Sequence, residues 1–171
     1  MAAMAKIGHL IFLAAITCMG QQLPPRPNFS KFPAAKMFHG RPAPPKLLTK
    51  DQRMFRTMIR TGGEIHEQFA GHYTIAQWGC GTDCSQFAVV DSMTGAVCGP
   101  FTVSGLPWSW LDDHQGQDYE HVAFKPTSRL LQVNGCPNEH ACGFYDYVVE
   151  DGKGLKLIRK ELLPQQYQPE P

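Results

Sequence analysis

Cysteines are the residues whose type and spacing most directly indicate chemistry in this chain of 171 residues. Cys80 and Cys84 are four positions apart, and Cys136 and Cys142 are six apart, so each pair can close a small loop if the backbone turns. We therefore predict a disulfide within each pair, which leaves Cys98 as a free thiol. A bridge from Cys84 to Cys98 is the alternative, because connectivity does not follow from sequence.

Zinc binding is the second chemistry that closely spaced cysteines can support. Structural zinc sites commonly combine a C-x2–4-C pair with a second pair of ligands. Cys80 and Cys84 supply a first half, but His140 and Cys142 are too close together to form the usual second half. We therefore predict no metal site, and we predict no cofactor.

Nucleophilic catalysis is the third interpretation of Cys84. Four short segments resemble, in order, the W-G-G, D-C-S-G, L-P and H-V elements of the NlpC-type cell-wall cysteine peptidases: Trp78-Gly79, Asp83-Cys84-Ser85, Leu106-Pro107 and His121-Val122. The resemblance implies that Cys84 is the nucleophile and that His121 is the base that accepts the thiol proton. Gln86 departs from the family glycine, and Cys80 could bind Cys84 in a disulfide. The residues after Cys84 also lead into a hairpin, whereas a helix N-terminus would lower the thiol pKa.

Three other residues are candidates for ligand binding. His72 could be a ligand or a base, although a hydrogen-bonded structural histidine fits its position equally well. Trp108 and Trp110 lie with acidic neighbours in the long connection of residues 99–120. Long loops are often functional, but two indoles could also plug an open end of a sheet.

A helix followed by short strands must position these residues. Thr49 and Gln52 satisfy a capping box, and apolar residues then recur at helical spacing up to Gly62, namely Met54, Phe55, Met58 and Ile59. Seven β-rich runs follow, at residues 73–78, 87–91, 96–98, 121–124, 129–133, 144–149 and 155–159. We predict an α+β, mostly β fold, in which an antiparallel meander of about seven short strands carries one N-terminal amphipathic helix.

The two ends of the chain differ in composition from this single β-rich domain of residues 49–162. Residues 1–20 have the charge-then-apolar order of a secretory signal peptide, and the first helix of a cytosolic protein is the alternative. Cleavage after Gly20 competes with a lipoprotein signal that ends before a lipidated Cys18. Residues 21–48 form a Pro-rich arm that we expect to be mostly mobile, and residues 163–171 form a tail that we expect to be frayed.

The charge balance argues against nucleic acid as a partner. The chain has 16 Lys and Arg residues against 15 Asp and Glu residues, so its formal net charge is +1. Such a balance creates no electrostatic field that favours a polyanion. After the first 20 residues, no apolar run approaches the length that a membrane-spanning helix needs, so we predict no transmembrane helix in the mature chain.

Two motifs carry a second resemblance, the FAGHY sequence at residues 69–73 and the WGCGTDC sequence at residues 78–84. Together they resemble an uncharacterised family of small exported bacterial proteins. The resemblance implies a compact β-rich domain, in the periplasm or secreted, and Cys18 offers a lipid anchor. We expect a non-enzymatic binding, inhibitory or immunity-type domain of the cell envelope, whose partner is an envelope protein or a cell-wall component. An NlpC-like cysteine peptidase is the alternative function.

Overall fold

Eight antiparallel β-strands carry the fold in the residues that the computed structural model describes, which are 25–35, 37–62, 65–114 and 119–170. The strands are β1 (Ile65–Phe69), β2 (Tyr73–Gly81), β3 (Cys84–Asp91), β4 (Val97–Ser104), β5 (Val122–Phe124), β6 (Leu130–Pro137), β7 (Gly143–Glu150) and β8 (Gly154–Leu162). Their order confirms the predicted mostly β, antiparallel meander. The first strand, β1, is the one that the sequence analysis missed.

The strands form two four-stranded halves that meet at one short junction. The first half has the order β1-β2-β3-β4, and in the second half β5 and β7 lie on either side of β6, with β8 beyond β7. The junction joins β4 to β6 through two residue pairs, Val103 with Pro137 and Ser104 with Cys136. The remaining length of β6 is therefore free to pair with β5.

Residues alternate between the two faces of each strand, which creates two apolar layers. The inner layer lies between the halves and includes Phe69, Ile75, Val89, Leu131 and Val149, all fully buried or nearly so. The outer layer lies on β2 and β3 and includes Ala76, Trp78, Ala88 and Val90. Each fully buried aliphatic or aromatic side chain contributes about 1.5–3 kcal/mol, so the inner layer supplies much of the stability.

The predicted N-terminal helix covers the outer layer, but it is divided at Phe55. The capping box forms, with Thr49 as the N-cap of helix α1 (Lys50–Met54), and helix α2 (Arg56–Thr61) follows. Phe55 adopts a non-helical cap conformation, and its ring lies 5.5 Å from the ring of Trp78 between centroids. Gln52 donates from its side-chain amide to backbone carbonyl oxygens of β4, which fixes α1 to the sheet.

The Pro-rich arm packs against the domain from residue 25 onward, which corrects the expectation of a mostly mobile segment. Proline has no N–H, so the residues between the prolines must supply the backbone donors. Four of them donate to carbonyl oxygens of domain loops at 2.8 or 2.9 Å: Ala34 to Thr127, Phe38 to Gly71, Ala43 to Ser92 and Lys46 to Gly95. The arm is therefore part of the folded domain.

A fully buried carboxylate on β7 holds the start of this arm. Arg26 Nε donates to Asp146 Oδ1 at 2.8 Å, and Gln132 donates to the same oxygen at 3.0 Å. Arg159 Nη1 lies 3.4 Å from the other carboxylate oxygen, and Arg26 also donates to Asn134 Oδ1 at 2.6 Å. Burying an unpaired charge costs several kcal/mol, so Asp146 requires these cationic partners.

The C-terminal tail is also packed, which corrects the prediction that it is frayed. Leu163 is buried in a third apolar cluster with Trp110 and the Cys136 and Cys142 side chains. Gln168 accepts from the Cys142 N–H at 2.7 Å and donates to the Cys142 carbonyl oxygen at 2.9 Å. The Leu163 N–H also donates to the Cys142 carbonyl oxygen at 2.9 Å, so backbone pairing continues one residue beyond β8.

The predicted signal peptide of residues 1–20, including Cys18, lies outside the described residues. Among the residues that are described, no helix is both long and apolar enough to cross a membrane. The two cysteine pairs at disulfide distance are typical of proteins that fold in an oxidising compartment.

We predict that Asp146→Asn lowers the free energy of unfolding by about 3 kcal/mol, because it removes the buried carboxylate that pairs with Arg26 and leaves Arg159 with Glu161 alone. Urea-induced unfolding measures the difference. Glu150→Gln is the matched control on the same strand, since its partners Lys153 and Lys156 are solvent-exposed, and it should change stability little. Equal effects of the two substitutions would contradict the role assigned to Asp146.

Candidate functional site

The inner faces of β2 and β3 carry polar groups at both ends of an apolar centre. On β2, the inward-facing residues are Tyr73, buried Ile75 and Gln77. On β3, they are Ser85, Phe87 and Val89. Because the two strands are antiparallel, Tyr73 lies opposite Asp91, and the Ser85 end is the far end of the same ladder. The domain thus has two polar sites, one at each end of its strands.

At the Tyr73 end lies a cavity of about 480 Å³, which we call the His72 cavity. Its size falls within the range of small-molecule sites. Apolar side chains supply most of its wall, and three turns or strand ends supply its polar groups: His72 and Tyr73, Asp91 to Thr94, and Asp151 to Gly154. This arrangement could bind a small molecule or side chain that is partly apolar and partly polar.

The polar side of the His72 cavity is negatively charged. Tyr73 donates its hydroxyl hydrogen to Asp151 Oδ1 at 3.0 Å. His72 Nε2 lies 3.6 Å from Asp151 Oδ1 and 3.9 Å from Asp91 Oδ1. Two carboxylates thus face one imidazole, and the net charge is negative whether or not the imidazole is protonated. Lys153 also lines the cavity, is largely solvent-exposed and lies 3.5 Å from Glu150, a carboxylate that it shares with Lys156.

The turn between β3 and β4 fixes the position of Asp91. Its carboxylate accepts hydrogen bonds from the Met93 N–H at 2.8 Å and from the Thr94 hydroxyl at 2.6 Å. Gly95 completes the turn with a φ of 76°, and a Cβ there would come within 2.3 Å of the Pro44 carbonyl oxygen. Only a glycine at this position lets the arm approach the turn so closely. The arm and the turn therefore both keep Asp91 in place.

Tyr73 remains a hydrogen-bond donor at neutral pH. Burial raises the pKa of its phenol above the ordinary value, and the hydrogen bond to Asp151 raises it further. The neutral phenol thus holds one carboxylate oxygen of Asp151, which is otherwise largely solvent-exposed. A cationic ligand could therefore contact both the carboxylate and the free lone pairs of the phenol oxygen.

Cys98 lines the same cavity and is the one free cysteine of the described residues. A Cβ added to Gly154, which has a φ of 85°, would lie 3.0 Å from the Cys98 sulfur. The thiol therefore packs directly against the glycine of the β7–β8 turn, next to Asp151. This position makes Cys98 a natural reporter of cavity occupancy.

The structure does not supply the two features that the cysteine-peptidase alternative requires at Cys84. Its sulfur lies at disulfide distance from that of Cys80, so no free thiol is present. The residue begins strand β3 rather than a helix, because Ser85 and Gln86 pair with both neighbouring strands. His121 instead contacts Ser85 and Asp83, with hydrogen-bond distances of 2.9 and 3.0 Å.

The two tryptophans have different environments and do not form a shared site. Trp108 begins helix α3 (Trp108–Asp113) and is 70% exposed, whereas Trp110 is 5% exposed. The Trp110 ring stacks on His114 at 4.2 Å and contacts Phe144 at 5.6 Å, between centroids. Trp110 is thus buried where β6 ends and β7 begins, whereas Trp108 packs into no such cluster of the described residues. Within the described ranges, no group of three or more His, Cys, Asp or Glu residues is arranged to hold a metal ion.

Sequence reasoning found His72 but missed its partners. Asp91 and Asp151 each open a glycine-containing turn, and the sequence analysis used both turns only as hairpin signals. Their convergence depends on the pairing of the two halves, which brings the β3–β4 turn beside the β7–β8 turn. The sequence did contain a signal for this site, because each of the two hairpin turns begins with an aspartate, Asp91 or Asp151.

We predict that iodoacetamide modifies Cys98 in the unreduced protein and leaves Cys84 unmodified, because only the first has a free thiol. Peptide mass mapping measures both sites. Cys84→Ala should lower the free energy of unfolding by about 2 kcal/mol, the scale for a bridge that closes a short loop. Modification of Cys84 before any reductant is added would contradict the disulfide and restore the nucleophile hypothesis.

In comparisons with family models, curated proteins and solved structures, nothing matches the chain. The resemblance based on the motifs at residues 69–73 and 78–84 therefore stays a prediction. The assignment of a candidate site depends on the geometry of the His72 cavity itself.

Proposed function

We propose that this protein is an exported binding domain of the bacterial cell envelope and that the His72 cavity is its ligand site. The observation that carries the proposal is the convergence of His72, Tyr73, Asp91 and Asp151 on one side of a largely apolar cavity of about 480 Å³. Few polar groups in an apolar cavity are typical of sites that orient a small ligand.

The ligand group that best fits the cavity is a primary ammonium on a short apolar chain. The two carboxylates favour a cation, and the phenol oxygen of Tyr73 can accept one of its hydrogen bonds. Val89, Val149 and Leu155 offer apolar contacts for the chain that carries the charge. Such a group occurs on amine-bearing peptides of the cell wall and on lysine side chains of envelope proteins, so both partner classes share this chemistry.

The envelope location is supported by the N-terminal sequence and by the cysteines. Residues 1–20 have the charge and hydropathy pattern of an export signal, with either cleavage after Gly20 or lipidation of Cys18. The two cysteine pairs at disulfide distance fit an oxidising compartment. An inhibitory or immunity-type role would follow if the ammonium belonged to a second protein.

We predict that n-hexylamine slows the alkylation of Cys98 by iodoacetamide at least several-fold at saturation, because the bound chain would cover the thiol in the cavity wall. Peptide mass mapping of Cys98 over time measures the rate. Hexanol and hexanoate are the matched probes without a positive charge, and they should protect weakly or not at all.

Asp151→Asn removes one carboxylate and should weaken the protection by hexylamine about tenfold or more, the scale for a lost charge-assisted hydrogen bond. Asp113→Asn at the opposite end of the strands is the matched control, and it should leave protection unchanged. The proposed ligand class would be wrong if hexanoate protected Cys98 as well as hexylamine. The site itself would be wrong if neither probe changed the rate.

The mass of the protein recovered from a bacterial host tests the proposed envelope location separately. Cleavage after Gly20 predicts a chain that begins at Gln21, and lipoprotein processing predicts a chain that begins at an acylated Cys18. Intact mass spectrometry separates the two products. Recovery of only the unprocessed chain from the cytoplasm would contradict export.

A further inference from the structure

The Ser85 end of the strands holds a second polar cluster, made of side chains that the proposed function does not use. Ser85 and Gln77 continue the inner-face rows of β3 and β2 beyond the apolar core, and Gln77 Nε2 lies 3.4 Å from Ser85 Oγ. His121, which directly precedes β5, places Nδ1 2.9 Å from the same Ser85 oxygen. A residue of β2 and the residue before β5 therefore direct polar groups to one hydroxyl on β3.

Asp83 completes the cluster from the turn between β2 and β3. Its carboxylate lies 3.0 Å from His121 Nε2, on the side of the ring away from Ser85. A carboxylate only accepts hydrogen bonds, so this contact places the imidazole hydrogen on Nε2. Nδ1 is then left with a lone pair that accepts from the Ser85 hydroxyl. This is the arrangement of a nucleophile, a base and a group that orients the base.

Gln77 is placed to stabilise negative charge beside Ser85. A side-chain amide that donates near a nucleophilic oxygen can also donate to the oxyanion that forms when that oxygen attacks a carbonyl group. The Gln77 amide is fixed on a strand, in register with Phe87 and two positions along from buried Ile75. Its position therefore needs no large rearrangement during the reaction.

We infer that Ser85, His121 and Gln77 form a hydrolytic site for short-chain carboxylic esters, with Asp83 as a positioning residue. Ser85 Oγ bonds to the carbonyl carbon and its proton passes to His121 Nδ1, while Gln77 donates to the oxyanion. The C–O bond to the alcohol breaks, and the alcohol leaves with the proton from Nδ1. Water then attacks the acyl-serine, gives its proton to Nδ1, and releases the carboxylic acid as Ser85 recovers its hydrogen.

The packing around Ser85 limits the acyl group to a short chain. Phe87, the next inner-face residue on β3, is only 3% exposed and fills the space toward the core. The open side of the site faces His121 and Asp83, whose side chains are 20% and 38% exposed. Because Phe87 blocks the way toward the core, we expect a small ester to reach the hydroxyl from this exposed side and a long acyl chain to be excluded.

Phenylmethylsulfonyl fluoride tests the nucleophile without any need for turnover. We expect peptide mapping of the full chain to show one sulfonyl adduct, on Ser85, and we expect hydrolysis of p-nitrophenyl acetate to be lost in parallel with labelling. Ser85→Ala should abolish both signals, and His121→Gln should slow labelling at least about 100-fold. Gln77→Ala should slow ester hydrolysis about 100-fold, the scale for one oxyanion donor.

Ser104→Ala is the matched control, because Ser104 pairs with Cys84 across the ladder and is outside the cluster; it should label and hydrolyse as the unaltered protein does. Asp83→Asn should slow labelling and, in ¹⁵N spectra of the imidazole, convert one tautomer of His121 into a mixture, which a purely structural role would not do. Asparagine tolerates the Asp83 backbone φ of 53°.

The unaltered protein decides the outcome even if a variant fails to fold. No adduct on Ser85, or an adduct that forms equally fast in urea-unfolded protein, would overturn the inference. The proposed binding function can fail separately, because Cys98 alkylation reports the opposite end of the strands.

Discussion

The buried carboxylate of Asp146 joins three other parts of the chain: the arm through Arg26, β6 through Gln132 and β8 through Arg159. A carboxylate without solvent must keep its cationic partners, and one of them, Arg26, is contributed by the Pro-rich arm. Once Arg26 is bound, the rest of the arm follows the domain surface and donates to the carbonyl of Gly95. That turn in turn holds Asp91 in the wall of the His72 cavity. The arm thus connects two places in the domain. It binds Asp146 on β7 through Arg26, and it contacts the β3–β4 turn that carries Asp91 of the His72 cavity.

The sheet divides its inner face into an apolar centre and two polar ends, and this division explains how one small domain can carry two sites. Ile75 and Phe87 fill the centre, so neither polar cluster opens into the other. At one end the carboxylates and the Tyr73 phenol suit a cation, and at the other end the hydroxyl of Ser85 faces an imidazole. The strands separate the two chemistries while they hold both in fixed positions.

Local patterns in the sequence predicted the features that depend on neighbouring residues. The capping box at Thr49, the hairpin turns, the short-range cysteine pairs and the mostly β meander all follow from spacing within a few positions. The docking of Arg26 on Asp146 joins residues 120 positions apart, and no local pattern indicates it. The same limit applies to Ser85, whose partner His121 is 36 positions away. The resemblance to cysteine peptidases implied a nucleophile at Cys84, whereas the hydroxyl that His121 contacts belongs to the next residue, Ser85.

The docked arm also has a consequence for the order in which the chain can assemble. A polypeptide is made from its N-terminus, so Arg26 is synthesised 120 residues before the carboxylate that binds it. The arm cannot reach its final place until β7 exists, although it is synthesised well before that strand. Contacts of such large sequence separation slow folding. Completion of the native state thus waits for the C-terminal half, and a chain truncated before β7 would leave its own N-terminal segment open to proteases.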